Sequence, residues 1–326
     1  MKNIVVIGGG TGTYIVLTGL KEYPVNLSAI VAMSDSGGST GILRDELGVL
    51  PPGDIRRALV ALSQSPQIIR DLFNYRFENG GLGGHSFGNL FLTALEKITG
   101  DFEKAVEEAG KILSIRGQII PVTKDSVHLH AVLENGEEVA GETNIDIPKH
   151  DGKLKIKKVF LRPRARATKG ALKAIEKADL IVIGPGDLYT SLIPNLLVKG
   201  ISSAIIKSRA KLVYVCGLMT KYGETYGFKA DDFAKTVESY LGKRRIDYIV
   251  VNNTVAPKKI LARYSKEKKE IVPLPLKNIK RHYKVIQADV ASTKQYFRHD
   301  SHKLAKVLIM LTEFENVLSF LETEKS

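Results

Sequence analysis

An apolar strand that runs directly into a glycine-rich loop constrains this chain more than any other stretch. Residues 4–7 are four apolar β-branched residues in a row, and four of the next five residues are glycines. Glycine lets the backbone approach a ligand closely, and the free N–H groups at a helix start attract an anion. A helix-like apolar segment follows at residues 14–20. The order of strand, glycine loop and helix predicts a phosphate or nucleotide cradle made of Gly9, Gly10, Thr11 and Gly12.

The loop does not identify the nucleotide. A dinucleotide fingerprint has glycine at its first, third and sixth positions, and neither register of this loop has glycine at the sixth. A P-loop has lysine followed by serine or threonine, and no lysine follows this loop before Lys21. The signature of tubulin-like GTPases continues with glycine where this chain has Tyr14. NAD, GTP and a generic phosphate ligand therefore stay open at this point.

Apolar strands that end in polar or glycine-rich loops recur along the chain. Further loops of this kind are residues 34–41, 184–191, 217–220 and 252–253. In an open parallel sheet, ligands bind beyond the carboxyl ends of the strands. The pattern predicts an α/β fold with a doubly wound, mainly parallel Rossmann-like sheet and a long polar crevice. Residues 1–116 and 164–326 are assigned to this nucleotide-binding domain, and the alternating segments of 117–163 to a small antiparallel β insert, with an extended segment over 139–147.

The loop after the second predicted strand supplies ligand-binding candidates of small and acidic types. They are Asp35, Ser36, Gly38 and Ser39. The Asp35 carboxylate can bind a ribose hydroxyl or a Mg²⁺ ion that is coordinated by phosphates. An Asx turn or a helix cap is the structural alternative for the same side chain.

A second group of candidates lies at the starts of two later helices. Asp54 is placed to cap a helix, and Arg56 and Arg57 in the first turn of that helix oppose the helix dipole, which indicates a bound anion. Pairing of an arginine with Asp54 or Asp45 is the alternative. His85 and Asn89 are four residues apart at the next helix start and would share one face. A packed, hydrogen-bonded histidine is the alternative for His85.

The third glycine loop adds Gly184, Gly186 and Asp187 to the predicted crevice. Near the carboxyl terminus, Arg298 precedes a helix that Asp300 or Ser301 is expected to cap. Arg298 at that helix start is a further candidate for an anion contact. No residue is assigned a catalytic role, because the sequence shows no clear pair of nucleophile and base.

The amino-acid composition limits the expected cellular location and the expected binding partners. The single cysteine, Cys216, excludes a disulfide framework and a cysteine-based zinc site, which fits a reducing, cytoplasmic location. No signal peptide or membrane span is expected. The net charge of +13 favours anionic partners, but no nucleic-acid module is present, so nucleic acid is not expected. A homodimer is expected only from the frequency of such assemblies.

The loops taken together resemble the gluconeogenesis factors (the YvcK group), which are related to the 2-phospho-L-lactate transferases (CofD). The resemblance covers essentially the whole chain. Each motif alone is weak, but the ordered set is specific: Gly8-Gly9-Gly10-Thr11-Gly12, residues 34–41, Pro52-Gly53-Asp54-Ile55-Arg56, residues 84–89 and Gly184-Pro185-Gly186-Asp187. The tail with Tyr264 and Arg298-His299-Asp300 is similar to the gluconeogenesis factor branch.

This resemblance implies a bacterial regulator that binds UDP-sugars such as UDP-N-acetylglucosamine and links carbon metabolism to cell-wall synthesis and cell shape. It implies nucleotide-sugar contacts at residues 8–12, Asn252, Tyr264 and Arg298. It also implies cell-wall synthesis proteins or kinases as partners, with Ser301 as a phosphorylation site. No cofactor is required, and binding of Mg²⁺ together with the nucleotide stays open.

Two other functions compete with the regulator. The first is a phosphoryl or phospholactyl transferase of the CofD type, in which Asp35 or Asp54 holds Mg²⁺ and arginines stabilise the leaving diphosphate. The second is a dinucleotide-dependent oxidoreductase, which the incomplete fingerprint disfavours. A regulator that binds a nucleotide without turnover needs only a cradle for that nucleotide. It needs no activated nucleophile.

Overall fold

The computed structural model describes residues 1–275 and 281–323, with twelve strands and thirteen α-helices in those ranges. The strands are β1 Asn3–Gly8, β2 Asn26–Val31, β3 Gln118–Pro121, β4 His128–Leu133, β5 Glu138–Ala140, β6 Ile156–Arg162, β7 Leu180–Ile183, β8 Lys211–Val215, β9 Tyr248–Asn252, β10 Lys284–Ala288, β11 Ala291–Ser292 and β12 Arg298–His299. The helices are α1 Gly10–Leu20, α2 Gly38–Leu47, α3 Gly53–Leu62, α4 Gln67–Asn74, α5 Phe87–Thr99, α6 Phe102–Ile112, α7 Glu142–Asp146, α8 Lys169–Lys177, α9 Ile193–Leu197, α10 Ile201–Lys207, α11 Ala230–Leu241, α12 Lys258–Lys266 and α13 Ser301–Thr323. A short 3₁₀ helix lies at Gly80–Leu82 and a π-helical turn at Leu188–Leu192.

Seven parallel strands form the central sheet in the order β10-β9-β8-β7-β1-β2-β3. Except in the edge strand β10, their β-branched runs are buried on both faces, as parallel sheets covered by helices require. From β1 the chain first builds one side of the sheet, and it later returns to β7 on the other side. The strand order therefore reverses next to β1, where open α/β sheets bind ligands. The predicted α/β fold with a mainly parallel sheet is confirmed.

Two groups of helices cover the central sheet. Helix α1 packs against α3 and α13, and helix α10 packs against α8 and α11. The approach of α1 to α13 depends on Gly19, because a Cβ there would lie 2.0 Å from the backbone oxygen of Ser301. Asp300 caps α13 as predicted, since its Oδ1 accepts hydrogen bonds from the N–H groups of His302 and Lys303, both at 3.1 Å.

A separate antiparallel sheet with the order β5-β4-β6 confirms that a small antiparallel unit is present. Strand β3 belongs to the parallel sheet, so the boundary predicted at residue 117 is too early for the antiparallel part. The extended segment predicted over 139–147 is wrong beyond Ala140. Gly141 turns the chain at a φ of +90°, and Asn144 Nδ2 donates to the Ala140 carbonyl, which helps the short helix α7 replace the strand. The assignment of whole domains stays a prediction.

Among the described residues, none of the helices combines the length and the apolar character needed to cross a membrane.

Candidate functional site

The first cavity lies where the predicted loops follow β1, β2 and β7. Its volume is about 500 Å³. Twelve of the residues predicted from the sequence line it: Gly9, Gly10, Thr11, Gly12, Asp35, Gly38, Ser39, Asp54, Arg56, Asn89, Gly186 and Asp187. The three strands are neighbours in the sheet, so their carboxyl ends bring together loops that are far apart in the sequence.

The glycine loop leads into the amino terminus of α1 without any side-chain cap. Gly9 precedes the helix, and the first turn contains no acidic residue, so the N–H groups of Thr11 and Gly12 present a positive partial charge at the cavity. A Cβ on Gly12 would lie 2.0 Å from the carbonyl oxygen of Pro185. Glycine at position 12 is what allows the loops after β1 and β7 to meet.

Asp54 faces the glycine loop and does not cap its own helix. Helix α3 begins at Gly53 with Pro52 at the N-cap position, so the predicted capping role is wrong. The Asp54 carboxylate accepts a hydrogen bond from the Gly10 N–H and lies 3.4 Å from Arg57 Nη1. Burial, with a further contribution from Asp35, raises the pKa of Asp54 to about 6. The predicted alternative of a pair with an arginine is therefore present, and the arginine is Arg57.

In the loop after β2, Asp35 both forms a turn and lines the cavity. Asp35 Oδ1 accepts a hydrogen bond from the Gly37 N–H at 2.9 Å, which is the Asx turn predicted as the structural alternative. Asp35 also lines the cavity. Ser36 does not line it. Its Oγ lies 3.2 Å from Thr143 Oγ1 and accepts from the Thr143 N–H, so Ser36 anchors α7 to this loop.

Helix α7 closes one side of the cavity, and the sequence did not predict its role. It and the following residue contribute Glu142, Thr143, Asp146 and Ile147 to the lining. Burial, with smaller effects from Asp35 and Asp146, raises the pKa of Glu142 to about 8. The interruption of the strand pattern at Gly141 was the one signal in the sequence that could have indicated this helix.

A buried polar network joins four predicted residues, three of which line the cavity. Arg56 Nε donates to Asn89 Oδ1 at 3.1 Å, Asn89 Nδ2 donates to Ser39 Oγ at 3.2 Å, and that Oγ lies 3.0 Å from His85 Nδ1. His85 is buried and is not part of the cavity lining, so its position fits the packed, hydrogen-bonded alternative. Its contact with Ser39 can fix the orientation of that hydroxyl.

A second cavity of about 280 Å³ adjoins the first. Thr11, Gly12, Gly186 and Asp187 line both cavities, so the amino terminus of α1 lies between them. The rest of the second lining is rich in aromatic and basic side chains, among them Tyr264, Tyr296, Phe297, Arg298 and His299.

The predicted residues Tyr264 and Arg298 are thus brought together in the second cavity. The Tyr264 hydroxyl donates to the Phe297 carbonyl at 3.4 Å, and the Arg298 guanidinium lies 4.7 Å from the ring centre of Tyr296. This cation–π contact holds Arg298 at the cavity wall. Burial lowers the pKa of the neighbouring His299 to about 4, so its imidazole is neutral near pH 7.

Three other predicted residues lie outside both linings. Asn252 uses its side chain on backbone, donating to the Thr254 carbonyl at 3.1 Å and accepting from the Val290 N–H at 3.2 Å. Gly184 has a φ of +81° and supports the turn before Gly186. Ser301 is the first residue of α13. Ligand binding by Asn252 and Gly184, and modification of Ser301, stay predictions.

One cluster of carboxylates in the described part of the chain is close enough to hold a metal: Asp146, Asp187 and Glu224, with ligand atoms within 4.8 Å of one another. Lys221 already occupies this cluster, with Nζ 2.7 Å from Asp187 and 3.1 Å from Glu224, and also in contact with Asp146. The ammonium group of Lys221 is therefore the cation that this cluster binds. Its contact with Asp146 connects α7 to the main sheet domain.

Comparison with known proteins agrees with this arrangement. The family described as 2-phospho-L-lactate transferase CofD matches residues 4–291. A gluconeogenesis factor of Halalkalibacterium halodurans is 44% identical over 318 residues, which cover 94% of this chain and 96% of that protein. The chain belongs to the gluconeogenesis factor family, within the CofD-like proteins.

Other members of the gluconeogenesis factor family support the same assignment. The gluconeogenesis factor of Bacillus subtilis is 44% identical over 312 residues, covering 94% of this chain and 97% of its own. A crystal structure of a UPF0052 family protein from Bacillus halodurans superposes with a TM-score of 0.90 at 43% identity, covering 95% of this chain and all of that one. The family resemblance read from the ordered loops is confirmed.

Proposed function

We propose that the chain is a cytoplasmic regulator that binds a nucleotide sugar of the UDP-N-acetylglucosamine type and acts without turnover. The observation that carries the proposal is the pair of adjoining cavities with the amino terminus of α1 between them. A diphosphate is the part of a nucleotide sugar that lies between base and sugar, and a helix amino terminus is suited to bind it.

The side chains that line the two cavities match the two ends of a nucleotide sugar, which are the base and the sugar. The second cavity offers Tyr264, Tyr296 and Arg298. Aromatic and guanidinium faces suit stacking on a planar base. The first cavity offers hydroxyl, amide and carboxylate groups, such as those of Ser39, Asn89 and Glu142, which suit hydroxyl and amide groups of a sugar. The nucleotide therefore lies in the second cavity and the sugar in the first.

The regulatory part of the proposal rests on the family. Relatives named gluconeogenesis factors match this chain over almost their whole length, which supports a role in carbon metabolism. A UDP-sugar is a precursor that joins carbon metabolism to cell-wall synthesis, so its level is a useful signal for cell shape. Proteins of cell-wall synthesis or kinases are the partners that this role predicts.

Binding calorimetry tests the proposal directly. UDP-N-acetylglucosamine, NAD and GTP are titrated separately, each with and without Mg²⁺, and the mixtures are then analysed for products. We expect micromolar binding of the UDP-sugar alone, about −8 kcal/mol, with little effect of Mg²⁺ and no product. Tighter binding of NAD or GTP, or product formation that depends on Mg²⁺, would contradict the proposal.

A matched pair of variants locates the base. Tyr264→Ala removes a ring from the second cavity, whereas Tyr75→Ala removes an exposed ring that lines neither cavity. We expect the first change to weaken UDP binding by about tenfold, within the range of base–aromatic stacking, and the second to have no effect. Equal affinities for the two variants would place the base elsewhere.

A Mg²⁺-dependent phosphoryl or phospholactyl transferase is the second candidate, favoured by the carboxylates of Asp35, Asp54 and Glu142 in the first cavity. Their oxygens are the ligand type that Mg²⁺ prefers, and the three groups interact electrostatically. A bound Mg²⁺ would neutralise charge on a diphosphate leaving group. Turnover of a nucleotide-diphosphate donor that stops in Asp54→Asn, with UDP binding retained, would favour this function over the regulator.

A further inference from the structure

Two consecutive arginines at the start of α3 point to different parts of the first cavity. Residues i and i+1 of a helix do not share a face. Arg57 Nη1 lies 3.4 Å from Asp54 and 3.9 Å from the position of a Cβ on Gly10, so Arg57 belongs to the glycine loop. Arg56 points the other way, where its guanidinium donates to the side-chain oxygens of Asn89 and Asn74.

Arg56 is a buried cation whose hydrogen-bond partners are neutral. The residue is 7% exposed, and in the part of the chain that the structure describes no carboxylate forms an ion pair with it. Arg76, which donates to the Gly84 carbonyl and lines the same cavity, has no carboxylate partner in that part either. A buried charge without a counter-charge is costly, and a second cation nearby increases the cost.

The electrostatics of Arg56 agree with this view. Burial is the largest cause that lowers the pKa of Arg56 to about 10, and the positive charges of Arg57 and Arg76 lower it further. Asp54 and Asp35 act in the opposite direction and do not cancel these effects. An anion in the cavity beside Arg56 would supply the missing negative charge.

We propose that Arg56 and Arg76 form a second anion subsite in the first cavity, which takes a phosphate or carboxylate group distinct from the diphosphate at the glycine loop. The proposal builds on the proposed function, because it assigns the diphosphate to Gly10, Gly12 and Arg57. Guanidinium groups match both oxyanions through paired N–H donors. The anion comes either from the sugar of the nucleotide ligand, as in a uronate, or from a separate phosphorylated metabolite bound beside it.

Thermal unfolding with inorganic phosphate is the first test. Wild type, Arg76→Gln and the control Arg57→Gln are melted in sodium phosphate and in sodium chloride of equal ionic strength. Arg76 is chosen because its side chain is exposed, so its loss leaves the core intact. We expect phosphate to raise the Tm of the wild type in the presence of saturating UDP, and this rise to disappear in Arg76→Gln. No rise in the wild type, or an equal rise in Arg76→Gln, would overturn the proposal.

Calorimetry then separates the two subsites and the two sources of the anion. We expect Arg57→Gln to weaken UDP by about tenfold and Arg76→Gln to change it by less than about twofold. If the sugar carries the anion, UDP-glucuronate binds more tightly than UDP-glucose, and Arg76→Gln removes the difference. If a free metabolite carries it, the two nucleotides bind alike and phosphate still binds to the UDP-saturated protein. Equal loss of UDP affinity in both variants would mean a single anion site and would overturn the proposal.

The two proposals fail differently. Absence of UDP binding in the wild type, together with phosphate stabilisation that depends on Arg76, would reject the nucleotide-sugar function and keep the anion subsite. Normal UDP-sugar binding without any effect of Arg76 on phosphate or uronate would do the reverse.

Discussion

The carbonyl oxygen of Pro185 lies 2.0 Å from the position that a Cβ on Gly12 would occupy. This closeness joins the loop after β1 to the loop after β7, and both loops line the two cavities. The obstacle to a side chain at position 12 is backbone, which cannot rotate away as a flexible side chain would. The crevice therefore depends on the absence of a single methyl group.

Gly12→Ala is expected to separate the two loops and to reduce UDP-sugar affinity by more than about tenfold, because the helix amino terminus shifts away from the diphosphate. Calorimetry of ligand binding and circular dichroism of the unligated protein measure the two effects. Gly81→Ala is the control, since nothing lies within 4 Å of a Cβ at that position. Unchanged affinity in Gly12→Ala would show that the loops tolerate separation.

Glu142 makes the stability of the protein depend on pH. Its pKa rises from 4.5 to about 8 on folding, so the folded state holds a proton that the unfolded state releases above pH 4.5. Its contribution is fully present below about pH 4.5 and is lost as the pH rises towards 8, with a slope of at most about 1.4 kcal/mol per pH unit.

Glu142→Gln should flatten this dependence, because glutamine does not titrate. Urea unfolding of both proteins at several pH values between 5 and 8 gives the difference. Glu224, whose pKa is also raised, titrates in both proteins and therefore cancels in the comparison, whereas Asp54 interacts with Glu142, so any change in its titration is part of the measured difference. Parallel curves for wild type and variant would mean that Glu142 is ionised throughout.

Lys221→Met should destabilise the protein strongly. The change leaves the fully buried Glu224 carboxylate without its ammonium partner, and breaking a buried ion pair on one side costs about 3–5 kcal/mol. Lys111→Ala is the control, because Lys111 pairs with Glu107 and Glu108 on the surface, where solvent screens the pairs and their loss should have little effect on stability. Denaturant unfolding provides both values.

The double variant Lys221→Met with Glu224→Gln checks the cause. Removing the buried charge should recover part of the lost free energy of unfolding, because the one fully buried carboxylate of the cluster is no longer left without its partner. A double variant as unstable as the sum of the single variants would assign the effect of Lys221 to packing instead.

Ser36→Ala is expected to loosen α7 without unfolding the main sheet. The hydroxyl of Ser36 contacts both the side chain and the N–H of Thr143, and no other residue of its loop makes those two contacts. Hydrogen exchange should rise at residues 142–147, while the amides of β1 keep their protection. Unaltered exchange over 142–147 would show that α7 is held by its other contacts, such as the one between Asp146 and Lys221.

Local sequence signals were sufficient for the main sheet and its loops. The β-branched residues of β1 predict a buried parallel strand, and the glycines after it predict a ligand loop, because both properties arise from a few neighbouring residues. The same logic located Asp35, Arg56 and Arg298. It could not assign the side of the cavity that Arg56 faces, since that direction depends on Asn74 and Asn89 from other helices.

Helix α7 shows the opposite case. Residues 139–147 carry an extended pattern after a strand, and only contact with the loop after β2, more than a hundred residues earlier, makes Glu142 and Asp146 part of the cavity. The capping role predicted for Asp54 was wrong for a related reason. Its carboxylate accepts from the Gly10 N–H, a donor that lies far away in the sequence and close only in the folded chain.

The sequence alone therefore determined the parallel α/β sheet, the glycine cradle at its carboxyl edge and the family to which the chain belongs, because short-range propensity and the order of motifs carry that information. The tertiary structure decided which side chains share the crevice, that two cavities adjoin at α1, and that the antiparallel unit closes one of them. Those properties depend on contacts between residues distant in sequence and on burial, which sets the charge states of Asp54 and Glu142.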